Sequence, residues 1–351
     1  MNRYLLLVSD TYAFPILRPL QEAICTRGGQ AAWFVDNPAC RKFLKEGERE
    51  LRTVREVKEY DPVAVFAPGN HIYHFFPGVK VQLFHGFHIN KRPGVVSHTR
   101  VRGWFDLCCS NDVGTDERFR ELAEEYRSFK VVHTGWTKLD RFGVERPAVR
   151  QSEGRRPVIL YSSTFTKGIT STPYLYDEIE RLVQVREWDW IITFHPLMDA
   201  ATVARYKALE KYGNVTFYDG DDNVPVMEQA DVMLCDSSSI IFEFMYMDKP
   251  VVTFRNTQPG DYLIDIDDVA LLESSLETAL TRPADLMERI RAKIDSFHPH
   301  RDGRSSERVL NAVDAFTAGD LGPVKPKRIS IVRRIKARKK LRYWNGIIKM
   351  V

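Results

Sequence analysis

Ala230–Phe254 reads ADVMLCDSSSIIFEFMYMDKPVVTF. Val232–Cys235 is a short apolar run, as expected of a strand buried on both faces. It stops at Asp236, and Ser237, Ser238 and Ser239 follow. An apolar helical stretch, Ser239–Met247, begins at once, and Val251–Phe254 is a second buried strand. Strand, turn, helix and strand in this order imply a parallel sheet with helices packed on it. One serine suffices to cap a helix, and three exceed that need. Hydroxyls and backbone N–H groups at a helix start, beyond the end of a parallel strand, form an anion site. Glu243, about one turn into the helix, would repel a phosphate but accept hydrogen bonds from ribose hydroxyls. A capped core helix is the competing reading of the same residues.

The rhythm extends on both sides of this stretch. In the second half, Val158–Tyr161, Trp190–Phe194 and Val215–Tyr218 read as further strands. Tyr174–Arg186, Ala200–Tyr212 and Val224–Gln229 read as the helices between them, with Glu273–Thr281 and Asp285–Phe297 beyond. In the first half the strands are Tyr4–Val8, Ala32–Val35, Val63–Ala67, Val79–Phe84, Phe105–Cys109 and Lys130–His133. Its helices are Pro15–Arg27, Leu51–Glu59 and Asp116–Ser128. The polar stretch ERPAVRQSEGRR (145–156) has no apolar period and reads as a linker. The expected organisation is therefore α/β, with Rossmann-like domains at 1–144 and 157–322, a linker at 145–156 and a tail at 323–351. In open α/β sheets ligands lie outside the carboxyl ends of the strands, which predicts a ligand in the cleft where the two domains face each other. Neither GxGxxG nor GxxxxGK[ST] occurs, which argues against a dinucleotide dehydrogenase or a P-loop NTPase.

The 351 residues are 44% hydrophobic and 28% charged, the balance of a globular protein. The net charge of +4 conceals an asymmetry. Pro323–Val351 holds eleven Lys or Arg residues and no acid, which leaves −7 on the rest. An acidic body makes whole-protein attraction to nucleic acid unfavourable, so no nucleic-acid partner is expected. Five cysteines (Cys25, Cys40, Cys108, Cys109 and Cys235) form no CxxC pair, and neither a disulfide framework nor a zinc site is signalled. No cluster implies a metal, and no cofactor is expected. The apolar run after Met1 is too brief for a signal peptide, and no run reaches the ~18 residues of a spanning helix. A cytoplasmic location is expected.

Further polar groups gather at predicted strand ends. His195-Pro196 ends Trp190–Phe194, on the same edge as the serines, where an imidazole could contact a phosphate. Tyr161-Ser162-Ser163-Thr164 adds hydroxyl donors. In the first half Val79–Phe84 runs into His85-Gly86, within LFHGFHINKRPG (83–94). Gly86 permits a tight turn. His85 or His88 could act as a general base, and the spacing leaves both open. Lys91 and Arg92 would favour an anionic substrate.

These segments together resemble the CDP-glycerol glycerophosphotransferases, the teichoic-acid and capsule polymerase and primase family. FHGFHINK (84–91) resembles its WHGTPLKK motif, and HTGWTKLDRF (133–142) resembles TGYPRND. YSSTF (161–165) is similar to YAPTW, FHP (194–196) to LHP, and CDSSSIIFEFMYMDKPVV (235–252) to TDYSSIMFDFALLDKPII. The resemblance implies a GT-B fold, transfer of glycerol phosphate from CDP-glycerol with release of CMP, and peripheral membrane attachment. It implies His85 as the acceptor-side base, with Gly86, His88 and Lys91 beside it. It implies His195 as a donor phosphate contact and Ser238 and Ser239 on the pyrophosphate. Glu243 would lie near the ribose, with Ser163, Thr164 and Asp236 completing the donor site. The chain departs from the family at Phe87-His88 (family Thr-Pro), Ser162-Ser163 (Ala-Pro), Thr166 (Arg) and Glu243 (Asp).

Rival readings are a glycosyltransferase using CMP-Kdo or CMP-sialic acid, a UDP-sugar epimerase-like protein, and a non-catalytic membrane or nucleic-acid adaptor dominated by the tail. In the tail, Leu341, Trp344, Ile347, Ile348 and Val351 share one helical face, and Ile331, Val332 and Ile335 form a second stripe. A basic, partly apolar tail suits an anionic membrane surface. A packed C-terminal helix with a solvated basic side is the alternative. The implied acceptor is a lipid-linked or polymeric glycan, and the implied location is the inner face of the cell membrane.

Overall fold

The computed structural model describes residues 1–87, 101–142, 154–220 and 222–344. These divide into two compact units, the first comprising 1–87, 101–142 and 298–344 and the second 154–297.

The first unit opens with β1 (Arg3–Val8), α1 (Ala13–Thr26), β2 (Gln30–Val35), α2 (Val54–Tyr60), β3 (Ala64–Ala67) and β4 (Val79–Gln82). It continues with β5 (Leu107–Ser110), α3 (Val113–Tyr126) and β6 (Lys130–His133). All strands pair in parallel, in the order β2-β1-β3-β4-β5-β6. The apolar runs of the sequence become central strands: Leu5, between Ala32 and Val65, is fully buried. The helices start where short polar side chains can satisfy their free N–H groups. Thr53 Oγ1 accepts from Glu56 N at 3.1 Å, and Asp112 accepts from Thr115 N at 2.8 Å.

The second unit runs β7 (Val158–Ser163), α4 (Thr172–Val185), β8 (Asp189–Phe194), α5 (Ala200–Lys207), β9 (Val215–Phe217), α6 (Val224–Gln229) and β10 (Val232–Cys235). It ends with α7 (Ile240–Tyr246), β11 (Val251–Phe254), β12 (Ile264–Ile266), α8 (Leu272–Leu280) and α9 (Ala284–Phe297). Its parallel sheet has the order β12-β11-β10-β7-β8-β9. The strand order reverses between β10 and β7 here, and between β1 and β3 in the first unit. These are the points where loops diverge to opposite faces and leave a crevice at the carboxyl edge.

The chain then returns to the first unit as α10 (Ser305–Ala318) and α11 (Ile331–Lys340). This moves the expected boundary at 322 back to 297. The physical reason is α10, a helix the sequence reading omits. Its buried Val309, Leu310, Ala312 and Val313 belong to a helix packed on α1, β4 and β5. Asp140 accepts from Ser305 N at 2.8 Å and Ser306 N at 2.6 Å, closing the helix start. The 145–156 linker lies mostly outside the described residues.

The tail is also attached. Lys325 N donates to Arg127 O at 2.7 Å, and Lys327 Nζ is 2.6 Å from Asp106. Ala337 of α11 is buried, and Tyr343 meets Phe75 at 4.9 Å between ring centroids. The helix ends at Lys340 and Arg342 has φ 50°, so the expected helical face over 341–351 is interrupted at its start. Residues 345–351 lie outside the described residues. Ile331, Val332 and Ile335 remain exposed on α11 among its basic side chains. No helix among the described residues is long and apolar enough to cross a membrane.

Candidate functional site

At the carboxyl edge of the second sheet, the strand-order reversal is bridged by one carboxylate. Asp236, just after β10, is fully buried. Its oxygens accept from Thr164 N at 3.0 and 3.1 Å, Ser171 N at 3.0 Å, Ser171 Oγ at 3.2 Å and Ser237 N at 2.8 Å, and Ser163 Oγ donates a further, short bond. Burial raises the Asp236 carboxyl above its ordinary value, against the pull of these donors. One side chain thus fixes the end of β7, the start of α4 and the serine turn. Asp236 and the Ser163 hydroxyl, both expected at the donor, are engaged within the protein.

The three serines divide in the same way. Ser237 is buried, and its Oγ accepts from Thr257 N at 2.8 Å. Ser238 and Ser239 are half-buried, and Ser239 holds the N-cap position of α7 without a side-chain capping bond. The hydroxyls of the turn are therefore not explained by capping. Thr164 and Glu243 are buried, Glu243 within the first turn of α7. The following Asp248-Lys249 is structural. Lys249 Nζ donates to Met227 O, Glu228 O and Ala230 O at 2.8, 2.6 and 2.6 Å, closing the carboxyl end of α6. Asp248 accepts two bonds from Arg291, at 2.9 and 3.0 Å.

His195 leaves β8 beside the end of β7, because Ser163 and Phe194 are paired in the sheet. It is exposed, and its Nδ1 accepts from Leu197 N at 3.1 Å. That bond requires a lone pair on Nδ1, so the proton of the neutral ring is on Nε2. Phe165, which the sequence reading passes over, lies against the imidazole with centroids 4.4 Å apart. The sequence signal for it is the aromatic residue that closes the hydroxyl-rich YSSTF stretch, opposite the Trp of the resembled YAPTW motif.

In the first unit His85 follows β4. The left-handed residue of this turn is Phe84, at φ 58°, so β4 stops at Gln82 and not at the expected Phe84. A bulky residue adopts that backbone only when its surroundings hold it there. Phe84 is buried and packs edge-on against Phe119 at 4.7 Å. The His85 ring stacks on Tyr12 at 4.9 Å, and its Nδ1 lies 3.3 Å from Pro68 O. Donation from Nδ1–H to that carbonyl leaves Nε2 as the basic nitrogen. Asn111 Nδ2 donates to Gly86 O at 2.9 Å and supports the turn. Nearby, the fully buried Asp36 side chain accepts from Tyr73 Oη at 2.6 Å and from Lys340 of the tail at 2.9 Å. His88 and Lys91 lie outside the described residues. No group of His, Cys, Asp and Glu among the described residues is arranged to hold a metal ion.

Residues 144–315 match the family described as CDP-Glycerol:Poly(glycerophosphate) glycerophosphotransferase. The chain is similar to the teichoic acid glycerol-phosphate primase of Bacillus subtilis (strain 168), 24% identical over 174 residues, 46% of this chain and 44% of the primase. The match therefore spans less than half the length of that relative. Among solved structures it is similar to the wall teichoic acid polymerase TagF, with a TM-score of 0.67 at 13% identity, covering 91% of this chain and 90% of the other. It is also similar to a putative UDP-N-acetylglucosamine 2-epimerase from Listeria monocytogenes, with a TM-score of 0.58 at 12% identity, covering 94% and 99%. At these identities the structural likenesses show the fold, two Rossmann-like units of the GT-B kind. It is over residues 144–315, just under half of the chain and including the serine turn, His195 and Asp236, that the chain is similar to the CDP-glycerol:poly(glycerophosphate) glycerophosphotransferases.

Proposed function

We propose that the protein transfers glycerol phosphate from CDP-glycerol to a hydroxyl of a lipid-linked or polymeric glycan acceptor, releasing CMP. The observation that carries this reading is the family match over the unit whose carboxyl edge gathers His195, Ser238 and Ser239. In the reaction the acceptor hydroxyl oxygen forms a bond to the β-phosphorus of the donor. The bond from that phosphorus to the bridging oxygen breaks, and CMP leaves with the electron pair. The acceptor proton passes to Nε2 of His85, whose Nδ1 is directed at Pro68 O. Phosphoryl transfer depends mainly on positioning and charge stabilisation. His195 donates from Nε2–H to a donor phosphate oxygen, and Ser238 and Ser239 add hydroxyl donors. Asp236 and Ser163 act as scaffold for that edge, Thr164 lines it, and Glu243 lies on the ribose side.

The tail carries the second half of the reading. A lipid-linked acceptor requires an enzyme at the membrane surface, and α11 offers exposed Ile331, Val332 and Ile335 between basic residues. Such a face suits peripheral attachment to an anionic leaflet on the cytoplasmic side.

The test is a donor panel of CDP-glycerol, CDP-ribitol, CMP-Kdo and CMP-sialic acid, with CMP release as the readout. Release from CDP-glycerol, enhanced by a glycan acceptor, is expected. Release only from a CMP-sugar would replace this reading with a glycosyltransferase, and release from none would remove both.

A further inference from the structure

The pairing of β7 with β8 sends two loops out of the second sheet side by side, Thr164-Phe165 from one and His195-Pro196 from the other. Phe165 does not join the core. It is 41% exposed, and its ring covers the His195 imidazole at 4.4 Å with a 35° tilt between planes. Two restraints of different kinds act on the His195 ring here. The Leu197 N–H on Nδ1, at 3.1 Å, selects the tautomer. The Phe165 face limits rotation of the ring about its bond to the backbone. Met198 N donates to His195 O at 2.8 Å, so the backbone beneath the ring is also tied.

Phe165 is itself anchored. The residue before it, Thr164, donates its N–H to both oxygens of Asp236. A continuous set of contacts therefore runs from the end of β10, through Asp236 and Thr164, to Phe165 over β7 and on to His195 over β8. We propose that Phe165 is a positioning residue for His195, holding the ring in the plane in which the Leu197 N–H meets Nδ1, so that Nε2–H donates to a phosphate oxygen of a nucleoside-diphosphate donor. The inference rests on the donor reading given above, and it adds a residue and a direction of action to it. An aromatic plane is what the position requires; side-chain volume alone does not limit ring rotation.

The test compares Phe165→Ala, Phe165→Leu and Phe165→Trp in the full chain. With CDP-glycerol, Phe165→Ala is expected to lower kcat roughly 10- to 100-fold, with KM for the donor changed much less, since loss of orientation acts on the transition state. Phe165→Trp restores kcat to within a few-fold of the unaltered protein, and Phe165→Leu does not. In parallel, nitrogen-15 NMR of the His195 ring reads the tautomer without any turnover. A single Nε2–H form is expected in the unaltered protein and in Phe165→Trp, and a mixture in Phe165→Ala. Equal rescue by leucine, or a His195 spectrum unmoved by Phe165→Ala, overturns the proposal. If the unaltered protein releases no CMP from any nucleotide donor, the donor reading fails, and the NMR comparison still decides whether Phe165 orders His195.

Discussion

Lys249 and His85 both carry nitrogen bases, and their surroundings predict different consequences of removing them. Lys249 is buried, and its ammonium has three carbonyl acceptors at the carboxyl end of α6, from Met227, Glu228 and the C-cap residue Ala230. Replacing it with methionine keeps the volume but strands buried acceptors, and is expected to cost about 2–4 kcal/mol of stability in the second unit. Urea unfolding of Lys249→Met checks this, and a loss under about 0.5 kcal/mol would show that water replaces the ammonium. His85 is half-buried in the turn after β4, where it lies against Pro68 O and the Tyr12 ring and outside the central strands. His85→Ala is therefore expected to leave the fold and CDP-glycerol binding intact while lowering transfer by ~10²–10⁴-fold, the usual worth of a general base. Near-normal turnover by this variant would remove His85 from the reaction. Sequence reading finds both residues, but only as members of short motifs. The division of Ser237 from Ser238 and Ser239, and the internal engagement of Asp236, depend on contacts with residues 20 and 73 positions away. A single sequence does not record those partners.

At the scale of elements, strands are the most legible part of the chain. Val232–Cys235 and Val251–Phe254 fall where the apolar runs predict, because strands buried on both faces admit few polar residues, and the half-buried edge strand Lys130–His133 also falls where expected. Errors cluster where tertiary contacts override local pattern. β4 ends early because Phe84 is anchored in a left-handed turn, and β12 (Ile264–Ile266) is too short to show a period. The expected helix Ala200–Tyr212 changes to a 3-10 helix after Lys207. The omitted α10 has a polar start whose stabilising partner, Asp140, lies 165 positions earlier. Asp140→Ala removes two capping bonds at once, so a loss of about 1–2 kcal/mol is expected. Hydrogen exchange should then show faster exchange at Ser305 and Ser306 than elsewhere in α10. Uniform protection along the helix would contradict the capping role.

For the whole molecule, histidines are unevenly distributed. His195 is the single histidine of residues 154–297, whereas the described residues of the first unit contain His71, His74, His85, His133, His298 and His300. Burial lowers His71, His74, His133, His298 and His300, with His71 and His74 at about 4 and His298 at about 3. His298 is also the acceptor of Trp136 N at 3.0 Å, a bond that protonation of that nitrogen would break. Between about pH 6.5 and 4 the unfolded chain binds more protons than the folded one, so stability rises with pH across that window and is lost as pH falls. The first unit is expected to lose roughly 5–10 °C in its unfolding midpoint from pH 7 to pH 4.5, with the second moving less. Calorimetry with unit-resolved hydrogen exchange measures this, and equal losses would count against the histidines. The charge asymmetry makes a separate prediction. Flotation with anionic vesicles should depend on residues 323–351 and weaken with salt, and equal binding after their removal would rule out the tail as the attachment.

The return of the chain to the first unit has a consequence for synthesis. Domains commonly fold from the amino terminus as they emerge. Here the faces of α1, β4 and β5 that α10 covers stay open until residues 305–318 have been made. The second unit, complete at Phe297, can close while the first is still waiting for its last helices. The half that begins the chain is therefore the half that finishes folding last, and in a nascent chain its uncovered apolar surface is the one that calls for a chaperone.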